Sequence, residues 1–288
     1  MKELLKTVLR FALWAMLFFV TMFAGAIVLA IINPSVLQGS EQAVTDYFKD
    51  SASSGWISLA VTLLFIILFL ILRWANLSKG ILERRFMWKL VGLLVLLTVA
   101  DICFEVFLAD LPAYHNLFPE SWAELEADDG TPNEGITRYL YVCLLVPIFE
   151  EIGFRGVLLG GLLRAKWHPW LAIPLSALVF ALFHLSAISF IGLTLGGIIY
   201  GWLFWRTKSL IPSMICHIAN NTIALCAGPI MMYITGSKEI ATSPTTDVIV
   251  IVIAITLMLF VLTLINRMVP KRLTGEEVNE RSSTENLY

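Results

Sequence analysis

Residues 11–32 read FALWAMLFFVTMFAGAIVLAII, a run of 22 residues without an ionisable side chain. A helix needs about 20 predominantly apolar residues to cross the hydrocarbon core of a bilayer. Two further uncharged runs, at 188–205 and 248–265, fall within the usable range of about 17–25 residues. The first run continues into Asn33-Pro34 without a small-residue cleavage site, so we interpret it as a retained helix rather than a signal peptide.

The composition indicates that most of the chain, and not only these three runs, belongs to a membrane protein. Hydrophobic residues make up 58% of the 288 residues and charged residues only 15%, against about a quarter charged in an ordinary soluble domain. The sequence therefore predicts an all-α polytopic membrane protein with about eight transmembrane helices. The predicted spans are about 8–32, 56–73, 90–111, 138–163, 170–189, 190–205, 209–234 and 248–266.

Basic residues cluster in alternate connecting segments, and this distribution predicts the orientation. The clusters are Lys2, Lys6 and Arg10; Arg73, Lys79, Arg84, Arg85 and Lys89; Arg164 and Lys166; Arg206 and Lys208; and Arg267, Lys271 and Arg272. Because loops rich in Lys and Arg stay on the cytoplasmic side, all five segments are expected there. Both termini are then cytoplasmic.

The predicted spans divide the chain into five regions. Residues 1–110 form an N-terminal three-span region, 111–137 an acidic extracytoplasmic loop, 138–234 a four-span core, 235–272 a C-terminal span and 273–288 a tail. The tail ends in ENLY, which resembles part of a protease-tag linker, and we do not expect it to contribute to the fold. The loop contains a run of acidic residues, Glu120, Glu124, Glu126, Asp128 and Asp129.

The fourth span carries charged side chains near its middle, in the stretch EEIGFR at 150–155. Glu151 and Arg155 are four residues apart and stack on one helix face, which predicts an ion pair. Glu150 points elsewhere and remains available as an acid or a base. Pro147 cannot donate a backbone hydrogen bond and is expected to kink the helix beside the glutamate, opening a cavity.

Polar residues also recur at helical spacing on two later spans. Phe180 and His184 are four residues apart, as are His217 and Asn221, so each pair shares one helix face. A lone histidine in a span is more often a helix-bridging hydrogen bonder. Two histidines, an asparagine and a glutamate at comparable depths instead favour a site.

The third span carries Asp101 and Glu105, again four residues apart, where two bare carboxylates would repel each other. The sequence leaves open whether they sit near the outer interface, bond to neighbouring helices or serve a function.

In their order on successive spans, Glu-Glu-xxx-Arg, Phe-xxx-His and His-xxx-Asn resemble the CAAX protease and bacteriocin-processing family, also called the Abi family, which includes the Ras-converting CAAX endopeptidases. The resemblance covers residues 138–234. It implies an intramembrane endopeptidase in which Glu150 and His184 activate a water and His217 and Asn221 stabilise the oxyanion. Glu151, Arg155 and Phe180 would support these residues.

The same resemblance implies no cofactor, a peptide or membrane-anchored protein as substrate, the lipid bilayer as surroundings and no nucleic-acid partner. A prokaryotic plasma membrane is the expected location. A prenylated CAAX peptide, a bacteriocin leader and a membrane-embedded signalling peptide would all present a suitable carbonyl to the four residues.

Three alternatives remain at this stage. Zinc could be held by His184, His217 and Glu150, although no His-Glu-xx-His pairing is present. Cys143 could be a thiol nucleophile, but no histidine is near it in sequence; the four cysteines show no metal spacing or disulfide framework. A non-catalytic immunity factor, scaffold or transporter could use the same polar cluster for binding.

Overall fold

The computed structural model describes residues 2–32, 52–71, 88–118, 136–235 and 242–269 of the chain. Within these ranges every regular element is a helix and no strand occurs, so the all-α prediction is confirmed. The acidic run at 120–129, the basic residues at 73–85 and the tail at 273–288 lie outside the described residues.

The helices follow one another in the order that the hydropathy pattern predicts. They are α1 (Lys2–Ile32), α2 (Ala52–Ile71), α3 (Val91–Asp110, after a 3-10 turn at Trp88–Leu90), α4 (Pro112–His115), α5 (residues 136–164), α6 (Pro169–Phe183), α7 (Phe190–Thr207), α8 (Ile211–Thr235) and α9 (Pro244–Met268).

Two helices in the described ranges are long and apolar enough to cross a membrane on length and composition alone, Trp88–Asp110 and Pro244–Met268. They coincide with the predicted third and eighth spans. The total of eight spans remains a prediction.

Helix α6 ends earlier than the sequence predicts. The predicted span reaches residue 189, but the helix ends at Phe183, His184 is its C-terminal cap and Leu185 has a φ of 53°. Its 15 residues rise by about 22 Å, which is shorter than the hydrocarbon core of about 30 Å. His184 therefore lies at the start of a turn rather than inside a helix.

Helix α5 departs from α geometry on both sides of Pro147. It combines α-helical turns with π-helical stretches at Leu140–Leu145 and Glu151–Leu159. Within an α-helix, Pro leaves one carbonyl without its partner, and the wider π turns redistribute the remaining hydrogen bonds. Single π turns are frequent at functional sites, and the second stretch here begins at Glu151.

Two hydrophobic clusters fill the bundle. One joins α1, α5 and α6 around Trp14, Phe154 and Phe180. The other joins α3, α7, α8 and α9 and includes Tyr200 and Val261. The rings of Phe180 and Tyr200 both contact the guanidinium of Arg155 on α5, so this charged group lies where the two clusters meet.

Candidate active site

The charged stretch of α5 is held by a buried ion pair. Arg155 Nη1 donates to Glu151 Oε1 at 2.7 Å, and both side chains are almost fully buried. Arg155 Nη2 also donates to the Gly197 carbonyl oxygen at 3.3 Å, and the guanidinium carbon lies 4.6 Å from the Phe180 ring centre and 5.3 Å from that of Tyr200. The pair predicted from the four-residue spacing is present, and it also ties α5 to α6 and α7.

His217 joins α8 to both glutamates of α5. Its Nδ1 lies 2.9 Å from Glu151 Oε1, and its Nε2 lies 3.5 Å from Glu150 Oε2. A carboxylate paired with arginine only accepts hydrogen bonds, so Nδ1 is the donor to Glu151. Nε2 can therefore donate towards the cavity only when the ring is doubly protonated. The sequence predicts that Glu150 and Glu151 point to different sides of the helix, whereas in the structure the imidazole of His217 contacts both.

His184 faces Glu150 from the end of α6. Its Nδ1 lies 2.9 Å from the Phe180 carbonyl oxygen, and because a carbonyl cannot donate, Nδ1 carries a hydrogen. Nε2 then presents its lone pair in the neutral ring and lies 3.9 Å from Glu150 Oε1. The His184 side chain is 30% exposed and that of Glu150 only 8%, so His184 forms the open side of the pair.

Asn221 is anchored to the distorted part of α5. Its Nδ2 donates to the carbonyl oxygen of Val142 at 2.9 Å. That carbonyl would ordinarily accept from the backbone N–H of Val146, but Val146 donates to Tyr141 instead. The next candidate, Pro147, has no N–H. Pro147 and the π turn thus leave Val142 for the asparagine, whose amide nitrogen carries a second N–H.

These side chains border a cavity of about 370 Å³ between α3, α5, α6, α7 and α8. Its lining includes His184, His217 and Asn221, together with Phe180 and Tyr200. The ring of Tyr200 stacks on His217 at 5.3 Å, and Phe180 meets both histidines edge-on. A mixed polar and aromatic cavity beside a buried carboxylate is the usual setting for ligand binding or catalysis.

Glu105 of α3 also lines this cavity. The sequence shows the four-residue spacing between Glu105 and Asp101 but assigns neither residue to a site. The spacing does not show that α3 packs against α7, which brings Glu105 to the cavity.

Within the described residues no group of three or more His, Cys, Asp and Glu side chains has an arrangement suited to a metal ion. None of the four cysteines, all of which lie in the described ranges, forms a disulfide, and Cys143 is buried.

Comparison with known proteins identifies relatives of the same segment. Residues 132–223 match the family model described as type II CAAX prenyl endopeptidase Rce1-like. The UPF0177 protein YbdI of Lactococcus lactis subsp. lactis (strain IL1403) is 27% identical over 173 residues, which cover 58% of this chain and 91% of the relative. No solved structure gave a significant match. The resemblance predicted from the motifs is confirmed over a segment that contains Glu150, His184, His217 and Asn221.

Proposed function

We propose that this chain is an intramembrane endopeptidase in which Glu150 activates a water for attack on a peptide bond. The observation that carries the proposal is the position of the Glu150 carboxylate, 3.9 Å from His184 Nε2 and 3.5 Å from His217 Nε2, beside a cavity that both histidines line. The match to the CAAX prenyl endopeptidase model supports peptide hydrolysis as the reaction class.

In the first step Glu150 takes a proton from the water, and the water oxygen adds to the peptide carbonyl carbon. His184 orients the water because its Nε2 lone pair accepts the second water hydrogen, while Phe180 fixes the ring through Nδ1. In the second step the carbon–nitrogen bond breaks and the protonated Glu150 returns its proton to the leaving amine. General acid–base catalysis of this kind contributes about 10²–10⁴-fold to a rate.

The tetrahedral intermediate carries a negative oxygen, for which His217 and Asn221 are the donors. The Nε2 of His217 lies on the side of the ring away from Glu151 and donates to this oxygen when it carries a hydrogen, and the second amide N–H of Asn221 remains after the bond to Val142. One such donor lowers the barrier by about 3–4 kcal/mol in other enzymes. Glu151 orients the imidazole through its contact with Nδ1, and Arg155 holds Glu151.

The proposal also includes the location of the chain in the membrane and the origin of its substrate. The chain crosses a prokaryotic plasma membrane about eight times with both termini in the cytoplasm, as its basic segments predict. The substrate is a peptide or a membrane-anchored protein whose scissile bond enters the cavity from the bilayer.

Glu150→Gln tests the proposal because it keeps the shape of the side chain and removes the base. Purified wild-type protein and variants would be incubated with a prenylated CAAX peptide and with an unprenylated peptide pool, and products identified by mass spectrometry. We expect Glu150→Gln to lower turnover by at least about 10²-fold, and His184→Ala to do the same, with helical content unchanged. Glu3→Gln, the same change at an exposed position, should cleave like wild type.

Equal turnover by Glu150→Gln and wild type would refute the mechanism. Absence of cleavage by the wild type would favour the non-catalytic alternative, an immunity or scaffold protein. Elemental analysis of the same preparation addresses the zinc alternative: one zinc per chain, with phenanthroline inhibition reversed only by added metal, would reassign Glu150, His184 and His217 as ligands.

A further inference from the structure

Glu105 extends from α3 across the face of α7 into the cavity. A Cβ atom placed on Gly192 would lie 2.7 Å from Glu105 Cγ, and one on Gly196 would lie 3.9 Å from Glu105 Oε1. Only glycine at the first position leaves room for the carboxylate in this place. The face of α7 that carries Gly192 and Gly196 therefore accommodates an acidic side chain, and this side chain lines the cavity.

Asp101 lies one turn before Glu105 on the same face of α3 and is only 1% exposed. Neither of its carboxylate oxygens has a hydrogen-bond partner in the described part of the chain. Oδ2 is directed towards Gly196, 3.2 Å from where a Cβ would stand, and Gly196 lines the cavity. A buried carboxyl group without a partner is costly, and in a membrane protein it marks a place where a charge is received.

The carboxyl groups around the cavity are not all paired. The basic side chains Arg155, His184 and His217 face Glu150 and Glu151, whereas Asp101 and Glu105 form no ion pair with a basic side chain of the described residues. The cavity lining also includes apolar and aromatic side chains, among them Leu193 and Tyr200. Such a chamber attracts a cation whose stem is hydrocarbon, because the stem packs on apolar walls while the head reaches the carboxylates.

We propose that Glu105, with Asp101 behind it, determines specificity by binding a Lys or Arg side chain of the peptide substrate close to the scissile bond. The inference rests on the proposed endopeptidase function and names the substrate class for that site. The substrate cation completes the charge balance of the cavity and thereby places the peptide carbonyl beside Glu150. Glu105 is a binding residue in this scheme and takes no part in proton transfer.

The test compares matched peptides in which a single lysine is moved through the four positions on each side of the bond that the wild type cleaves. In each peptide, norleucine replaces lysine as the uncharged control of similar length. At one position we expect lysine to raise kcat/KM by about 10- to 100-fold over norleucine, the effect of one charge pair in a partly desolvated site. Glu105→Gln should bring the ratio of kcat/KM between the lysine and norleucine peptides close to one, because it keeps the shape of the side chain and removes its charge.

Two further variants separate binding from a structural role. Glu105→Asp should retain part of the preference, since it keeps the charge on a shorter stem. Asp101→Asn should weaken the preference without abolishing it, because Asp101 acts from behind Glu105. Loss of folding would lower cleavage of both peptides equally, whereas loss of charge recognition changes only their ratio.

Wild-type cleavage that is indifferent to lysine at every position would overturn this inference while leaving the endopeptidase function intact. Retention of the full preference by Glu105→Gln would do the same. If Glu150→Gln cleaved as well as wild type, or if the wild type cleaved no peptide, the proposed function would fail and the specificity inference would fall with it.

Discussion

Arg155 makes several contacts besides its ion pair with Glu151. Its two terminal nitrogens bond Glu151 and the Gly197 carbonyl, and its planar group lies between two aromatic rings. Lysine cannot reproduce this geometry, because it carries one compact ammonium group instead of a planar fork. The arginine therefore fixes the carboxylate that orients His217.

Arg155→Ala should destabilise the protein strongly, because it leaves Glu151 buried without its cation. Loss of one partner of a buried pair costs about 3–5 kcal/mol. We expect a clearly lower midpoint of thermal unfolding in detergent, together with loss of peptide cleavage, and Arg155→Lys should recover only part of the stability. Arg164→Ala, at the exposed end of the same helix, should change stability by no more than about 0.5 kcal/mol. An Arg155→Ala protein as stable as Arg164→Ala would show that the ion pair contributes nothing.

The spacing of residues along one helix predicted the Glu151–Arg155 pair, but it carries no information about contacts between different helices. The bond from His217 to Glu151 depends on how α8 packs against α5. The bond from Asn221 to Val142 depends on the π register around Pro147. The sequence contains Pro147 and predicts a distortion there, yet it does not say which side chain satisfies the carbonyl that the distortion leaves unpaired.

At the scale of elements, α1 packs closely against the helix that carries Glu150. Trp14 is fully buried, with its ring centre 5.2 Å from that of Phe149 and 5.0 Å from that of Phe154. A Cβ atom on Gly153 would lie 2.1–2.5 Å from three ring atoms of Trp14, closer than any real contact. Gly153, between the two charged ends of the EEIGFR stretch, is therefore one of the positions where the absence of a side chain lets α1 approach α5.

Gly153→Ala should push α1 away from α5. Overpacking of a filled core costs about 1–3 kcal/mol, so we expect a lower unfolding midpoint and reduced cleavage. Combining it with Trp14→Leu should recover part of the loss relative to Gly153→Ala alone, because the smaller side chain makes room. Gly92→Ala, on α3 with nothing within 4 Å of the added atom, should be neutral or stabilise by about 0.5–1 kcal/mol through helix propensity. Equal stability of Gly153→Ala and wild type would contradict this packing.

The order and type of the helices followed from hydropathy, but the end of α6 did not. Residues 183–190 read FHLSAISF, in which single polar residues alternate with apolar ones and no Gly, Pro or charged residue marks a helix end. Leu185 adopts a positive φ of 53°, which a leucine rarely does and which its identity does not signal. Tertiary packing overrides local preference at this point and places His184 in the turn.

At the scale of the whole molecule, several predicted cytoplasmic segments lie together. Lys2 at the start of α1 lines a shallow pocket with Arg164 and Lys166 at the end of α5. Arg206 at the end of α7 donates to the side chain and backbone of Asn266 at the end of α9. Each contact joins two segments assigned to the same side of the membrane from their basic residues alone. The placement of these helix ends thus agrees with the proposed orientation.

That orientation can be tested with single cysteines and a membrane-impermeant maleimide on intact cells. Lys166→Cys and Arg267→Cys should stay unlabelled until the membrane is permeabilised, because both positions belong to predicted cytoplasmic segments. Asn116→Cys, exposed just after α4, should be labelled at once, since it lies in the predicted extracytoplasmic loop at 111–137. The wild type, with two buried and two partly buried cysteines, gives the background. Labelling of Lys166→Cys but not Asn116→Cys in intact cells would invert the proposed topology. Labelling of both Asn116→Cys and Lys166→Cys in intact cells would place the two positions on the same side of the membrane. The chain would then not cross the membrane between α4 and the end of α5, although the proposed topology places Glu150 within that crossing.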